Sequence, residues 1–264
     1  MSGVYLRRNF LLGLSSIGFA SLSSKKLFAQ NIQLNDVLNA INSANTNKKN
    51  LILSASEADG GIREALTNGA IAAVLKTGKL DGFWQDNKIK IPLPGTLGKL
   101  QKSLQPYGLS SSFDDLQLKI NRAAENSAPK AKEIFVSAIK SFTINDAMSI
   151  LQGGENAGTN LLKEKTKPQL ISAFRPQMLD AIDKTGAGVS IGKIDKKYGA
   201  QLGSLGNITG TKTQGQDLKS QLVDYAVSKS LDGIFYYIGT EEAAIRKDPA
   251  KRTSDLLKKV FGGF

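Results

Sequence analysis

FDDLQLKINRAAENSAPKAKEIFVSAIKSFTINDAMSIL, residues 113–151, holds three helix starts and one clear stop within about forty residues. Ser111 and Ser112 stand at capping-box distance from Asp114 and Asp115, so hydroxyl and carboxylate can take up the first free amides of a helix. Phe113, Leu116, Ile120, Ala123 and Ser127 follow at helical spacing. Ser127 and Pro129 restart the chain, because proline is tolerated in a first turn and costly deeper in. Ile134, Phe135, Ala138, Ile139 and Phe142 form the next apolar stripe, and Thr143 with Asp146 marks a third start that Gly153-Gly154 ends. The pattern predicts packed antiparallel helices, not one long rod. It also carries the least ordinary polar cluster of the chain, Asn121-Arg122-Ala123-Ala124-Glu125.

Working outward, Ile32 to Ile41 keep a partial helical register, followed by a polar linker over 45–50. The segment 54–78 reads as a longer helix capped by Ser56 with Asp59, with Ile62, Leu66, Ala70, Ala73 and Val74 on one face and Gly78 as its stop. Residues 80–100 form the one extended region. Lys88-Ile89-Lys90-Ile91 alternates briefly, Pro92 and Pro94 exclude a helix there, and Pro94-Gly95 makes a turn. A loop or short edge strand laid across the bundle is expected, anchored by Phe83 and the only tryptophan, Trp84. Beyond the central stretch, 155–165 and 168–184 are two helical segments, the second kinked or split at Arg175-Pro176. The Gly-, Ser- and Thr-rich segment 186–215 reads as a mobile loop, 217–247 as a helix with Gly233 as its weak point, and 254–261 as a final helix. The fold class is all-α: a single-domain multi-helix bundle of eight to ten helices with one short extended, proline-containing crossing segment.

Composition removes whole classes of chemistry. The 264 residues include no cysteine and no histidine. Disulfides, thiolate chemistry, Cys/His zinc sites and Ser-His or Cys-His nucleophile systems are thereby excluded. Only an oxygen-ligand site for a hard cation would remain, and the expectation is no metal and no cofactor. Glycine-rich phosphate loops fail on spacing: 186–192 has one residue too many for a dinucleotide fingerprint, and 206–213 (GNITGTKT) misplaces its first glycine.

Residues 1–29 read as an export signal: Arg7-Arg8, an apolar run from Phe10 to Leu22, then Lys25-Lys26 and a cleavage position near Ala29. The string Arg7-Arg8-Asn9-Phe10-Leu11 resembles a twin-arginine signal, with Leu6 where such signals carry Ser or Thr, which keeps the general secretory route open. The run is short and rich in Gly and Ser for a membrane span, so no stable transmembrane segment is expected in the mature protein, which is placed in the periplasm. Residues 30–53 then form an N-terminal helix and linker, and 54–262 the helical domain. The chain carries 35 basic and 23 acidic residues; removing the signal's four bases leaves 31 against 23, a net +8. That surplus fits lipid headgroups or another anionic envelope component. No basic block or basic-aromatic interleaving points to nucleic acid.

Carboxylates on an apolar stripe need a cation or donors. Leu231, Ile234, Phe235, Ile238 and Ile245 define such a stripe, and Glu241 and Glu242 occupy its continuation, with Arg246 one turn on. A buried or cleft-lining ionic network is expected from Arg63, Asn121, Arg122, Glu125, Arg175, Glu241, Glu242 and Arg246.

The order GGIREAL (60–66), LDGF (80–83), IPLP (91–94), NRAAE (121–125), AKEIFVSAI (131–139), FRP (174–176), LDGIF (231–235) and IRKDPAKRTSDLLKKVF (245–261) resembles a bacterial family known as domain of unknown function 4197. The resemblance spans roughly 54–262 and implies a single helical domain in an exported protein, with no activity to carry over. Three readings of function follow. The first is a binding module for an apolar or amphipathic ligand or an anionic envelope component, which expects a roomy apolar pocket. The second is a structural or interaction protein of the envelope without a ligand. The third is a carboxylate-based hydrolase, which expects convergent carboxylates open to solvent.

Overall fold

The structure is a computed structural model that describes residues 53–204 and 218–262. The segments expected to be an export signal and a helix with its linker, and residues 205–217, lie outside the described residues. Nine α-helices occur among the described residues: α1 (Ala55–Thr77), α2 (Gly95–Leu104), α3 (Ser111–Ser127), α4 (Ala131–Lys140), α5 (Ile144–Gln152), α6 (Ala157–Lys184), α7 (Ala187–Ser204), α8 (Leu218–Lys247) and α9 (Asp255–Phe261). No strand occurs among them, and the expected all-α bundle is the observed fold.

Helix α8 lies between α1 and α6. Helix α1 also packs on α4, α5 and α9, while α3 packs on α6 and α7. The side of α1 that meets its neighbours is rich in small residues: Ala58, Gly61, Ala65, Gly69, Ala70 and Ala73 are buried. A Cβ on Gly69 would sit 3.4 Å from the Glu241 Cβ. Four phenylalanines, Phe83, Phe113, Phe135 and Phe174, are among the largest side chains wholly out of solvent. Phe135 of α4 meets Phe235 of α8 edge-on at 5.4 Å, a geometry favoured by the ring quadrupoles.

Several local expectations change. Helix α1 is capped by Ser54 and Glu57, not Ser56 and Asp59. Two Ser-x-x-acid boxes overlap there, and the Asp59 carboxylate is taken by Arg63 at 2.8 Å. Helix α3 starts from Ser110, whose hydroxyl donates to Asp114 at 2.6 Å rather than closing a box from Ser111 or Ser112. Pro129 restarts the chain as expected, since α3 ends at Ser127 and α4 begins at Ala131. It sits in a 3-10 turn, Ala128–Lys130, that joins α3 to α4, so 111–140 runs on as one helical stretch before a 102° bend into α5. The Thr143–Asp146 box and the Gly153 stop of α5 are as expected.

The extended region is shorter than expected, because α2 begins at Gly95. Pro94 stands in the N-cap position, where its missing N–H costs nothing, and Leu97 is fully buried. The two segments expected over 155–184 are one helix, α6, with Pro168 and Pro176 inside it. Leu162, Thr166, Leu170, Phe174, Met178 and Ile182 continue a buried stripe at four-residue steps through both prolines. Both prolines are on the exposed side, so the carbonyls they leave unpaired are open to water. The expected loop over 186–215 is helical as far as Ser204. No single described helix is long and apolar enough to cross a membrane.

Gly233 is a contact point rather than a weak point of α8. A Cβ there would lie 2.8 Å from Phe83 Cε1 and 3.1 Å from Ile89 Cβ, both buried. Alanine gains about 1 kcal/mol of helix propensity over glycine, but overpacking a closed core costs about 1–3 kcal/mol. Gly233→Ala therefore lowers the thermal midpoint, whereas Gly192→Ala in α7, which meets nothing within 4 Å, raises it or leaves it level. A G233A midpoint at or above the parent's would show that the loop does not press on α8. The caps set an acid limit as well. The Lys259 ammonium, then the Ser54 amide and hydroxyl, hold the Glu57 carboxyl down from 4.5 to about 2. A depressed carboxyl contributes stability above its ordinary range and loses it as pH falls toward its folded value. Acid unfolding of the parent should therefore steepen between pH 4.5 and about 2, and Glu57→Gln should flatten that slope; equal slopes would contradict this.

Candidate functional site

The polar residues predicted to converge do not form one network. They form four separate arrangements, and three of them tie down backbone groups at distant chain ends or turns.

The first holds the loop over 78–94 against α3. Gly82 folds back on the carbonyl end of α1, where a Cβ would come within 2.5 Å of the Thr77 oxygen. Asp81 before it has φ 64°. This Asp-Gly pair turns Phe83 and Trp84 so that both amides donate to Glu125 Oε1 at 3.0 Å. Glu125 Oε2 accepts from Arg122 at 2.7 Å, and the other arm of Arg122 reaches Asp81 at 2.7 Å. One turn earlier, the Asn121 side chain accepts from the Ile91 N–H at 2.8 Å and donates to the Ile91 carbonyl at 2.9 Å. That amide does for Ile91 what a neighbouring strand would do, which is why Lys88–Ile91 alternates without becoming a strand. Asn121 and Glu125 are 0% and 2% exposed, so each bond replaces water that cannot reach the site. From the opposite side, the Tyr237 phenol of α8 donates to Asp86. Burial and then the Asp86 carboxylate push its ionisation well above the ordinary range.

The second closes two helix ends. Glu242, 4% exposed, accepts from the amides of Gly158 and Thr159 at 3.0 and 2.7 Å and from the Thr159 hydroxyl at 2.7 Å. Asn156, in the N-cap position of α6, makes no side-chain cap of its own, so the cap comes from 84 residues away. A carboxylate there also complements the positive helix end. Arg246 pairs with Glu242 at 2.9 Å and donates to the Ile150 carbonyl at 2.7 Å, near the end of α5.

The third closes α4: Arg63 pairs with Asp59 and donates to the carbonyls of Ile139 at 2.8 Å, Lys140 at 2.7 Å and Phe142. Arg252, which the sequence reading missed, does the same for α8 through the Ile245 and Arg246 carbonyls at 3.0 and 2.8 Å. Fourth, Arg175 makes a half-exposed pair with Asp224 at 2.7 Å, of a kind worth at most about 1 kcal/mol. The Glu241 side chain is half-buried and makes no hydrogen bond or ion pair among the described residues. Arg122 therefore finds Asp81 and Glu125 rather than the α8 glutamates, and the two buried glutamates have their oxygens engaged by amides and guanidinium groups.

The surface these anchors shape includes open grooves with mixed lining. One groove of about 600 Å³ runs between the start of α6 and the middle of α8, lined by Asn156, Asn160, Lys163, Phe235 and Thr240 among others. A second, about 310 Å³, lies between 88–92 and α8 and includes Lys88, Lys90 and Lys229. They share Asp232 and Tyr236 and so adjoin along α8.

Fold and site together define an all-α domain in which buried charged side chains brace helix ends and a groove-forming loop. The chain belongs to the family described as Protein of unknown function (DUF4197), which it matches over residues 52–262. No curated protein and no solved structure matches it.

Removing one member of a buried, hydrogen-bonded ion pair costs about 3–5 kcal/mol. Glu242→Ala should therefore lower the unfolding free energy measured by denaturant titration by an amount in that range, and Arg175→Ala by about 1 kcal/mol or less. Equal effects would mean that Glu242 is solvated.

Proposed function

We propose that the protein is a non-catalytic binding module of the cell envelope that takes an extended anionic chain, of the acidic-polysaccharide type, along the α8 grooves. The single observation that carries this reading is the lining of the two adjoining grooves: Lys88, Lys90, Lys163 and Lys229 against Asp232 alone, around the half-exposed Tyr236. Asp232 is shared by two of these lysines, at 3.5 Å from Lys163 and 3.7 Å from Lys229, and cannot neutralise four. Ammonium groups attract carboxylate or sulfate substituents. Tyr236 presents a ring on which a sugar face can stack, and Asn156, Asn160 and Thr240 supply hydroxyl-matching donors and acceptors. The engaged oxygens of Glu125 and Glu242 favour holding over acid–base chemistry. The Arg7-Arg8 signal and the net +8 of the mature chain favour a site of action beyond the inner membrane.

The test is titration of the mature protein with polygalacturonate oligomers and with neutral dextran, followed by the fluorescence of Trp84. Trp84 is a built-in reporter, because the groove-lining Lys90 ammonium lies 3.5 Å over its ring. Saturable binding of the acidic oligomer alone is expected, weakening as salt rises. Tyr236→Ala and Lys90→Gln with Lys229→Gln should each weaken it by about tenfold. Equal binding of dextran, or full affinity in both variants, would contradict the proposal; no binding of either polymer would move the weight to an interaction protein without a ligand.

A further inference from the structure

The carbonyl end of α1, whose groove shares only Lys88 with those along α8, has the chemistry of a membrane contact, and we infer that it docks the protein on a bilayer surface rich in anionic phospholipid. This goes beyond the groove reading and does not rest on it. Leu75 and Leu80 are 67% and 72% exposed, the most exposed leucines of the described chain, and they flank the last turn of α1 and its cap. A single exposed leucine is ordinary, but two at one helix end, with the exposed Lys76 and Lys79 between them in the chain, join apolar and cationic groups at one tip.

Beside that tip is a polar groove of about 360 Å³ lined by Lys76, Lys79 and Lys88 together with Asp81 and Asp86. Both aspartates are already engaged. Asp81 holds Arg122 at 2.7 Å, and Asp86 accepts from the Tyr237 phenol and from the Lys88 amide at 3.0 Å. No ion pair reaches the ammonium groups of Lys76, Lys79 or Lys88 among the described residues; Lys76 instead lies 4.0 Å over the Tyr237 ring. Lys130 is exposed on the turn whose Pro129 ring packs against Gly78, which adds a fourth cation to this end. The three lysines supply ammonium groups for a phosphodiester headgroup, and the two exposed leucines supply apolar surface for the acyl boundary. Lysine stems can extend along that boundary with their charges at headgroup level.

The experiment is co-sedimentation of the mature chain with vesicles of phosphatidylglycerol and phosphatidylethanolamine, and with vesicles of phosphatidylcholine. Pelleting with the anionic vesicles alone is expected, and it should fall as salt rises. Leu75→Ser with Leu80→Ser should weaken partitioning by about tenfold or more. Lys76→Gln with Lys79→Gln should do the same and reduce the salt dependence. All four side chains are exposed, so unchanged circular dichroism accompanies both variants, and the thermal midpoint falls only slightly, in the lysine variant, where Lys76 leaves the Tyr237 ring. Tyr236→Ala, which weakens the α8 groove, should pellet like the parent, so the two proposals fail independently. No pelleting with anionic vesicles, equal pelleting with neutral ones, or full partitioning of the leucine variant would overturn the membrane assignment. Release of the protein by millimolar glycerol phosphate, with the leucine variant unaffected, would overturn it in favour of a free-phosphate site.

Discussion

The first turn of α6 buries two amides, those of Gly158 and Thr159, that have no partner in their own turn. Everything around that end follows from how they are satisfied. An unpaired buried amide costs roughly 1–3 kcal/mol, and a buried carboxylate without donors costs more. Glu242 and the Gly158 and Thr159 amides remove each other's penalty, and Arg246 neutralises the charge that remains. The close approach this needs is visible at Gly158, where a Cβ would lie 2.8 Å from Leu66 and 3.1 Å from Glu242. Helix α8 is thereby held in register against α6, and α1 packs against α8.

The same solution recurs with the opposite sign. Arg63 and Arg252 take the carbonyl ends of α4 and α8, where a cation complements the helix dipole. Asn121 and Glu125 apply it to a chain that is not helical at all, the crossing loop. That loop carries Lys88 and Lys90, which line a groove with α8, and Asp81 to Lys88, which line another. The least ordinary polar cluster of the sequence thus positions the backbone that lines these grooves. Asn121, Arg122 and Glu125 are positioning residues, and the side chains proposed to touch a partner are exposed lysines, leucines and Tyr236.

What could be read in the sequence divides along a physical line. Apolar periodicity and adjacent caps are local, and Thr143–Asp146, Gly78 and the α1 and α8 stripes are where the spacing put them. The misses are contests that only packing settles. Two overlapping Ser-x-x-acid boxes were decided by Arg63 removing Asp59. Two prolines in α6 were overruled by a stripe that never breaks. Of the polar residues singled out, Asn121, Glu125 and Glu242 are buried, and each is hydrogen-bonded, as a polar group on an apolar stripe must be. Their partners were not legible, since backbone amides and carbonyls leave no mark in a sequence, and Asp81 and Arg252 sit at turns without periodicity. The Asp81-Gly82 pair was the one available signal for the first.

The central claim is that buried side chains, not secondary structure, hold the crossing loop and the start of α6. Native-state hydrogen exchange of the parent protein tests it most directly. The amides of Phe83, Trp84, Ile91, Gly158 and Thr159 all donate to side-chain oxygens. They are expected to exchange as slowly as amides in the middle of α8, through global unfolding. Exchange of these five at the rate of exposed loops, with α8 still protected, would show that the side chains do not hold these segments.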